Sequence, residues 1–370
     1  MRYRRMAIEV ESPEQLGYDA IDCNLSESST SDLCLADLEL DLDLDRLLLC
    51  YGDHLGNPVL REQVAGRGAG LSGDDVIVTP GAAAALFCVA TSHVGAGDHV
   101  VVARPNYVTN IETPRAVGAH IDYCDLRFED GFGLDLSRLA ALVTPDTKLV
   151  SLTYPHNPTG AMLTHAELLD VIDIVERAGT RLLLDETYRE LTVTEPLPMA
   201  ASLSTSAISV ASVSKAYGLP GLRIGWMVTR DPEVAETLLA AKEQIFICGA
   251  TLDEEIAARV LTAGERILMP IQADLAGRRT AVAEWIEGDD RFEWVVPAGG
   301  VVCFPRLRHD VEVDVDRFYD ILFRELGTLV GAGHWFEQDD RSMRIGYGWP
   351  PMAELRRGLG NVSVAVDRST

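Results

Sequence analysis

The chain has 370 residues and a formal net charge of −25 at pH 7. This length suits two or three domain-sized units, or one large domain with a smaller one attached. Such an acidic surface repels nucleic-acid phosphates and anionic membranes, so we expect neither as a partner. No apolar run approaches the roughly 20 residues that cross a bilayer, and no secretory segment follows the basic N-terminus. These features favour a cytoplasmic protein.

Almost all the basic residues are arginines, because the chain contains only three lysines, Lys148, Lys215 and Lys242. The acidic surface fits a highly salted cytoplasm, and it equally fits an ordinary acidic protein with codon bias toward arginine. The seven cysteines form no C-x-x-C pair and their number is odd, which argues against a disulfide framework and a zinc site. The histidines lack metal-ligand spacing, so we expect no metal.

The predicted elements begin with Asp37–Leu49, where acids alternate with leucines. Its leucine density favours an ordered segment over a disordered acidic patch. Seven short apolar runs follow, continuous in hydrophobicity as strands buried on both faces are. They are Asp75–Thr79, His99–Ala103, His120–Cys124, Lys148–Tyr154, Arg181–Asp185, Ile208–Ser212 and Ile224–Val228. Helical patterns separate several of them, such as Thr164–Ala178 with its Thr-x-x-Glu start. This alternation predicts an α/β fold with a mostly parallel sheet.

A second pattern begins near Leu252, where a long helical stretch is predicted to break at Pro270. Strand candidates Phe292–Arg306 and Ser342–Gly348 then flank the helical pattern of Val315–Leu326. This part of the chain predicts a smaller α+β unit.

Three segments carry the chemistry: Tyr-Pro-His-Asn-Pro-Thr-Gly at 154–160, Leu-Leu-Asp-Glu-Thr-Tyr at 183–188, and Ser-Val-Ser-Lys-Ala-Tyr-Gly-Leu-Pro-Gly-Leu-Arg at 212–223. In this order and spacing they resemble the cofactor site of the fold-type I, class I/II aminotransferases, which use pyridoxal 5'-phosphate (PLP). The resemblance extends from about Tyr51 to Arg344. It implies a large domain (46–265) with a seven-stranded sheet, a small C-terminal domain (266–370), and an N-terminal segment (1–45) that packs with the small domain.

The resemblance implies that Lys215 binds the cofactor aldehyde covalently and moves a proton. A lysine in a serine-rich loop is otherwise a surface residue. Ser212 and Arg223 match the family's phosphate ligands, and Ser214 is a further candidate. Arginine suits this role because its planar guanidinium can donate hydrogen bonds to two phosphate oxygens at once.

A turn between a predicted strand and an alanine-rich helix, Thr79–Ala85, offers further phosphate donors. The backbone amides of Ala82 and Ala83 are assigned to the phosphate, because a helix N-terminus favours anions. Many relatives have a polar side chain near this point, and this chain does not. Turns of this kind also connect strands to helices where no ligand binds.

The cofactor ring has its own expected partners. A carboxylate, Asp185, stabilises the protonated pyridine nitrogen. Asn157 and Tyr188 match the partners of the ring hydroxyl, and Tyr107 matches the aromatic side chain that stacks on the ring.

Three residues concern the substrate and the partner chain. Arg344 matches the arginine that binds the substrate α-carboxylate, a role in which a bidentate contact orients the Cα–H bond. Glu27 lies where relatives cover the substrate and is a candidate for binding a guanidinium tail, although it could equally be solvated. Tyr51, in a Tyr-Gly segment, matches a tyrosine that reaches the neighbouring subunit's phosphate, which implies a homodimer with shared active sites.

The expected activity is transfer of an amino group between an L-amino acid and a 2-keto acid. The N-terminal segment near Glu27 and the Gly-Leu-Pro-Gly-Leu-Arg segment also resemble a subgroup that includes capreomycidine synthase and PLP-dependent arginine hydroxylases. A cyclase, lyase or oxidase acting on an arginine-like amino acid is therefore the alternative. The hydroxylases carry a histidine where this chain has Ser29, which argues against oxidase chemistry. A transcription regulator built on this fold needs a DNA-binding domain, for which the residues before Tyr51 are too few.

Overall fold

The computed structural model describes residues 1–370. Its fourteen strands are β1 Cys23–Asn24, β2 Val76–Thr79, β3 His99–Arg104, β4 His120–Asp125, β5 Thr147–Thr153, β6 Arg181–Asp185, β7 Ala207–Ser212, β8 Gly225–Val228, β9 Phe292–Glu293, β10 Val302–Cys303, β11 Arg306–Leu307, β12 Thr328–Leu329, β13 Gly331–Ala332 and β14 Met343–Gly346. Its thirteen α-helices are α1 Ala7–Val10, α2 Pro13–Leu16, α3 Pro58–Ala65, α4 Gly81–His93, α5 Thr109–Val117, α6 Leu136–Leu142, α7 His165–Ala178, α8 Ala200–Leu203, α9 Pro232–Ile245, α10 Thr251–Thr262, α11 Gly264–Gly288, α12 Val315–Asp320 and α13 Met352–Ser369. None of these helices combines the length and the apolar character that crossing a bilayer requires.

Seven strands form one sheet in the order β2-β8-β7-β6-β5-β3-β4. Only β8 runs antiparallel to its neighbours, β2 and β7, and the other pairs are parallel. The prediction of a mostly parallel seven-stranded sheet is confirmed, and each predicted strand ends within one residue of the observed one.

The sheet is buried on both faces, which explains why its strands are continuously apolar. Side chains alternate between the faces of a strand. Val101, Leu182 and Leu184 therefore belong to one apolar core, and Val100 and Leu183 belong to the core on the opposite face. Helices cover both faces, as a parallel sheet requires.

Helix α7 begins as its sequence predicts. The Thr164 hydroxyl accepts a hydrogen bond from the Glu167 amide, and the Glu167 carboxylate accepts one from the Thr164 amide at 2.7 Å. These reciprocal bonds satisfy two amides that have no partner within the helix.

The prediction that Pro270 breaks the C-terminal helical stretch is wrong. The interruption lies at Ala263, between α10 and α11, and Pro270 lies inside the continuous α11. Proline removes one backbone donor from a helix. Pro270 and the preceding turn's Arg266 are exposed, so water can bind the carbonyl group that loses its partner.

Two other predicted elements differ from the observed ones. The strand predicted at Phe292–Arg306 is divided into β9, β10 and the start of β11, because Pro297 and the pair Gly299-Gly300 interrupt it. The helix predicted at Val315–Leu326 is α12 followed by a π-helical turn, Ile321–Glu325.

The N-terminal segment pairs with the C-terminal part of the chain. Strand β1 runs parallel to β12, and the Asn24 amide donates to the Glu354 carboxylate at 2.8 Å. The division at 45/46 and 265/266 stays a prediction, with the second boundary in the first turn of α11. Within Asp37–Leu49, a turn leads to a single 3-10 turn, Leu44–Arg46.

One close approach sets the position of α4 relative to the sheet. Gly225 pairs with Thr79 on one side and with Ser212 on the other. A Cβ at Gly225 would lie 2.5 Å from the Gly81 carbonyl carbon and 2.6 Å from the Ala82 nitrogen. Only a residue without a side chain therefore lets the first turn of α4 lie against β8.

Replacing Gly225 with alanine should lower the free energy of unfolding by about 1–3 kcal/mol, because the new methyl group overlaps backbone atoms that cannot rotate away. Urea unfolding followed by circular dichroism measures this change. Gly221→Ala is the matched control, since nothing lies within 4 Å of its added Cβ. Equal unfolding midpoints for both variants would contradict the role assigned to Gly225.

Candidate active site

The parallel strands end at one edge of the sheet, and their last residues are polar. Thr153 of β5 pairs with Asp185 of β6, and Ser212 ends the adjacent β7. In open α/β sheets, ligands bind outside this carboxyl edge. A cavity of about 450 Å³ lies there, a volume typical of small-molecule sites. Twelve of the thirteen predicted site residues line it: Glu27, Ala82, Ala83, Tyr107, Asn157, Asp185, Tyr188, Ser212, Ser214, Lys215, Arg223 and Arg344.

Hydroxyl groups and one guanidinium converge at one end of this cavity. Ser212 and Ser214 are both buried, and the Ser214 amide donates to the Ser212 hydroxyl at 3.3 Å. Arg223 adopts a left-handed backbone conformation, and its Nη1 donates to the Pro220 carbonyl at 2.9 Å. The result is a group of donors and positive charge suited to an anion.

The first turn of α4 borders the same end. Ala82 and Ala83 follow Gly81, whose φ of +81° is a conformation that favours glycine. A Cβ on Gly81 would lie 2.5 Å from Arg223 Nη2. The early amides of this 13-residue helix have no acceptor within the helix, so the dipole and the guanidinium favour the same anion.

Asp185 ends β6 and is buried, with 4 % of its surface exposed. One of its carboxylate oxygens accepts the Thr187 amide at 3.1 Å and the Thr187 hydroxyl at 2.6 Å. Burial raises the pKa of Asp185, and the hydrogen bonds from Thr187 act in the opposite direction. A cation placed beside a buried carboxylate stabilises its charged form, which is the role expected of Asp185 beside a protonated ring nitrogen.

Lys215 follows β7 and projects its amine into the cavity. Its carbonyl oxygen accepts the Thr30 amide at 3.2 Å and the Thr30 hydroxyl at 2.9 Å. Burial lowers the pKa of the Lys215 amine, and the nearby charge of Glu27 opposes this effect. An amine with a lowered pKa is available in its neutral form as a nucleophile or base.

Arg344 on β14 and Asn157 are in direct contact, although 187 residues separate them. The Arg344 Nη1 donates to Asn157 Oδ1 at 3.1 Å, and its Nη2 donates to the Ser26 carbonyl at 2.5 Å. Burial lowers the pKa of Arg344, and its buried Nε has no acceptor. A buried donor without a partner is costly, so this guanidinium is prepared for a ligand anion.

Tyr107 is attached to a buried polar network, and Tyr188 is buried beside the same cavity. The Asn106 side-chain oxygen accepts the Tyr107 amide and the Thr153 hydroxyl, each at 2.8 Å, and Asn110 at 3.3 Å. This network holds the backbone of Tyr107 beside the cavity. Burial raises the pKa of Tyr188 well above its usual value, so the phenol is a hydrogen-bond donor at neutral pH.

Tyr51 lies outside the cavity, and 82 % of its surface is exposed. This placement is compatible with a tyrosine that serves a neighbouring subunit. No group of three histidine, cysteine, aspartate or glutamate side chains is arranged to hold a metal ion.

The N-terminal segment contributes cavity residues that the sequence did not predict. Glu9 and Glu14 lie on α1 and α2, and both line the cavity with Glu27. Trp335, far along the chain, also lines it. The sequence signal was limited to the helix start Ser12-Pro13, because tertiary packing alone brings this segment over the sheet edge.

These residues fit PLP at each of its functional groups. The amides of α4, the two serines and Arg223 suit the phosphate, and the buried Asp185 carboxylate suits the ring nitrogen. The Lys215 amine suits the aldehyde, and Asn157 and Tyr188 suit the ring hydroxyl. The individual roles stay predictions from the resemblance, but the structure places all these groups around one cavity.

The family model for aminotransferase class I and II matches residues 24–361. The chain belongs to this family. A capreomycidine synthase from Streptomyces vinaceus is 35% identical over 324 residues, which cover 87% of this chain and 82% of that protein. An arginine–pyruvate transaminase from Pseudomonas aeruginosa is 30% identical over 298 residues, covering 77% and 74% of the two chains.

Solved structures show the same fold over the whole length. A PLP-dependent aminotransferase from Streptococcus suis has a TM-score of 0.92 and 27% identity, covering 100% of this chain and 99% of that one. A PLP-dependent cyclase, OrfR, has a TM-score of 0.90 and 27% identity, covering 100% and 98%. The protein is thus a PLP-dependent enzyme of the class I/II aminotransferase family.

Replacing Lys215 with alanine should remove the visible absorbance of lysine-bound PLP and lower turnover by about 10²–10⁴-fold, because a positioned acid–base group contributes about that much. Absorbance spectra and steady-state assays measure both effects. Lys148→Ala is the matched control, because Lys148 is an exposed lysine on β5. A Lys215→Ala enzyme with unchanged spectrum and rate would refute the assignment.

Proposed function

We propose that this enzyme acts on an L-amino acid with a cationic, arginine-like side chain and transfers its amino group to a 2-keto acid. The supporting observation is the charge of the cavity. Three carboxylates, Glu9, Glu14 and Glu27, line it. None of them forms an ion pair within the chain.

The other charges of the cavity already have expected ligands. Arg223 is assigned to the phosphate, Asp185 to the ring nitrogen, and Arg344 to the substrate α-carboxylate. Glu9 and Glu14 are then left without a cation, and the cations that act on Glu27, namely Lys215 and Arg344, are assigned to the cofactor aldehyde and the substrate α-carboxylate. Burial raises the pKa of Glu27, and the charge of Lys215 lowers it. A guanidinium supplies planar donors and a permanent charge that match such a group of carboxylates.

When bound, PLP supplies an electron-withdrawing ring that weakens the Cα–H bond of the substrate. Arg344 orients the substrate through its carboxylate, with the help of Asn157, which fixes one guanidinium nitrogen. The Lys215 amine, whose pKa is lowered by burial, takes the proton from Cα and holds it for the later steps of the reaction. The N-terminal segment and Trp335 form cavity walls on the substrate side.

Cyclisation of an arginine-like amino acid is the second candidate. It is favoured by the similarity to capreomycidine synthase and to the cyclase OrfR. Both candidates need the same carboxylate binding and the same proton removal by Lys215. They differ afterwards, because transamination consumes a keto acid, whereas ring closure needs a leaving group on the side chain and no co-substrate.

The holoenzyme should convert arginine in the presence of pyruvate or 2-oxoglutarate, with one equivalent of keto acid consumed for each arginine. Mass spectrometry of both products measures this stoichiometry. Conversion of an arginine derivative bearing a leaving group, without loss of keto acid, would favour cyclisation instead. If neither arginine nor such a derivative reacts while neutral amino acids do, the proposed substrate class is wrong.

The charge argument is tested by the ratio of kcat/KM for arginine to that for citrulline, its neutral analogue. Glu27→Gln should lower this ratio about tenfold, because it removes one carboxylate that faces the cation. Glu265→Gln, at an exposed position of α11, is the matched control. An unchanged ratio in Glu27→Gln would exclude Glu27 from guanidinium binding.

We also propose that the enzyme is a homodimer in which the partner subunit's Tyr51 completes each phosphate site. Leu48 and Leu49 are each 75 % exposed, and they precede the exposed Tyr51. The Thr251 hydroxyl donates to the Cys50 carbonyl at 2.8 Å, which brings the exposed Leu252 beside them. Such an apolar group on an otherwise acidic surface fits a second copy of the chain.

Co-expression of a Tyr51→Ala subunit with a Lys215→Ala subunit tests this arrangement. Random pairing makes half of the dimers hybrid, and each hybrid keeps one complete site, so about a quarter of wild-type activity is expected. Each variant alone serves as the control, measured at limiting PLP. Activity in the mixture equal to the mean of the two single variants would contradict a shared site.

A further inference from the structure

Residues 7–18 form a strap that crosses the substrate side of the cavity. The strap contains α1 and α2, and Glu9, Ser12 and Glu14 on it line the cavity. Both helices have only four residues, too few to be stable by themselves. The position of the strap therefore depends on contacts with the rest of the molecule.

The most specific of these contacts centres on Glu11, between the two helices. Its Oε2 accepts the Trp335 indole N–H at 2.6 Å and His334 Nε2 at 2.9 Å. The other ring nitrogen of His334 contacts the Asp340 carboxylate at 2.9 Å. With acceptors on both sides, the imidazole donates from both nitrogens and carries a positive charge.

The protonation state agrees with this geometry. The hydrogen bond with Asp340, supported by the charge of Glu11, raises the pKa of His334 to about 9. Glu11 therefore meets a cation and an indole donor at neutral pH. Charge-assisted hydrogen bonds of this kind are stronger than neutral ones.

Trp335 connects this contact to the substrate site. Only 2 % of its surface is exposed, and it lines the cavity. The Arg344 guanidinium carbon lies 6.0 Å from the centre of its ring and 5.1 Å from that of Phe336. One side chain thus borders both the strap and the arginine assigned to the substrate carboxylate.

The far end of the strap has a second contact. The Tyr18 ring stacks on Trp349 with a centroid distance of 6.4 Å, and its hydroxyl donates to Glu27 Oε1 at 3.3 Å. The strap is held by the burial of Ile8 in the core, by Glu11 at its centre and by Tyr18 at its end. Glu9 and Glu14 lie on either side of the central contact.

We propose that Glu11 is a positioning residue, which holds the strap on His334 and Trp335 so that Glu9 and Glu14 face the substrate side chain. Glu11 does not line the cavity, and it acts through these two glutamates. The effect of Glu11 on substrate affinity rests on the proposed function. The effect of Glu11 on the position of the strap does not depend on which substrate the enzyme uses.

Hydrogen exchange in the PLP-loaded enzyme, without substrate, tests the strap position. Glu11→Ala should increase the exchange rate of the strap's hydrogen-bonded amides about tenfold, because both bonds of the carboxylate are lost. The exchange rate in Glu11→Gln should lie between those of the wild type and Glu11→Ala, because the glutamine carbonyl still accepts the indole N–H. Asp19→Asn is the matched control, an exposed carboxylate just beyond the strap. Unchanged exchange in Glu11→Ala would overturn the proposal.

Steady-state kinetics with arginine tests the consequence. Glu11→Ala should raise KM about tenfold and leave kcat within about twofold, because substrate binding is weakened and proton transfer at Lys215 is not. A variant that only lost folded protein would lower apparent kcat at constant KM, which would overturn the positioning role. Faster strap exchange in an enzyme that does not accept arginine would reject the proposed function and retain the role of Glu11 in holding the strap.

Discussion

The parallel register of β5, β6 and β7 is the constraint on which the active site depends. Because these strands run in one direction, Thr153, Asp185 and Ser212 end at the same edge of the sheet. The next few residues after each strand then share one cavity. The antiparallel β8 enters at this edge and brings Arg223 beside the first turn of α4. The sheet therefore holds the polar and charged residues of the site close together, although like charges among them repel each other.

The cavity combines two kinds of electrostatic environment. At the end bordered by α4, a helix N-terminus, two serines and an arginine all favour an anion. Elsewhere in the cavity, Arg344 and three carboxylates of the N-terminal segment line the same space. Burial shifts the pKa values of Lys215, Asp185 and Arg344 toward their neutral forms. Burying these charged groups costs free energy, because they lose their contacts with water. The ligands that the site is expected to bind carry the opposite charges and would recover part of that free energy.

The similarity to a transaminase and to cyclases is consistent with this arrangement. The groups assigned to PLP, to the α-carboxylate and to the α-proton are the ones that both reactions need. What differs between such enzymes is the fate of the substrate after proton removal, which depends on the substrate side chain and its contacts. On this side of the cavity the lining carboxylates belong to the N-terminal segment, which contacts His334 and Trp335 through Glu11.

The sequence by itself determined the sheet, the family and most of the predicted residues that line the cavity. Continuous apolar strands and the three segments around Asn157, Asp185 and Lys215 are local patterns, each dictated by burial or by chemistry. The tertiary structure alone decided where the helical stretch breaks, since exposure of Pro270 allows its helix to continue. It also decided that Glu9, Glu14 and Trp335 meet at one cavity. The hydrogen bond between Glu11 and Trp335, which lies beside this group, joins residues 324 positions apart, and no local pattern encodes it.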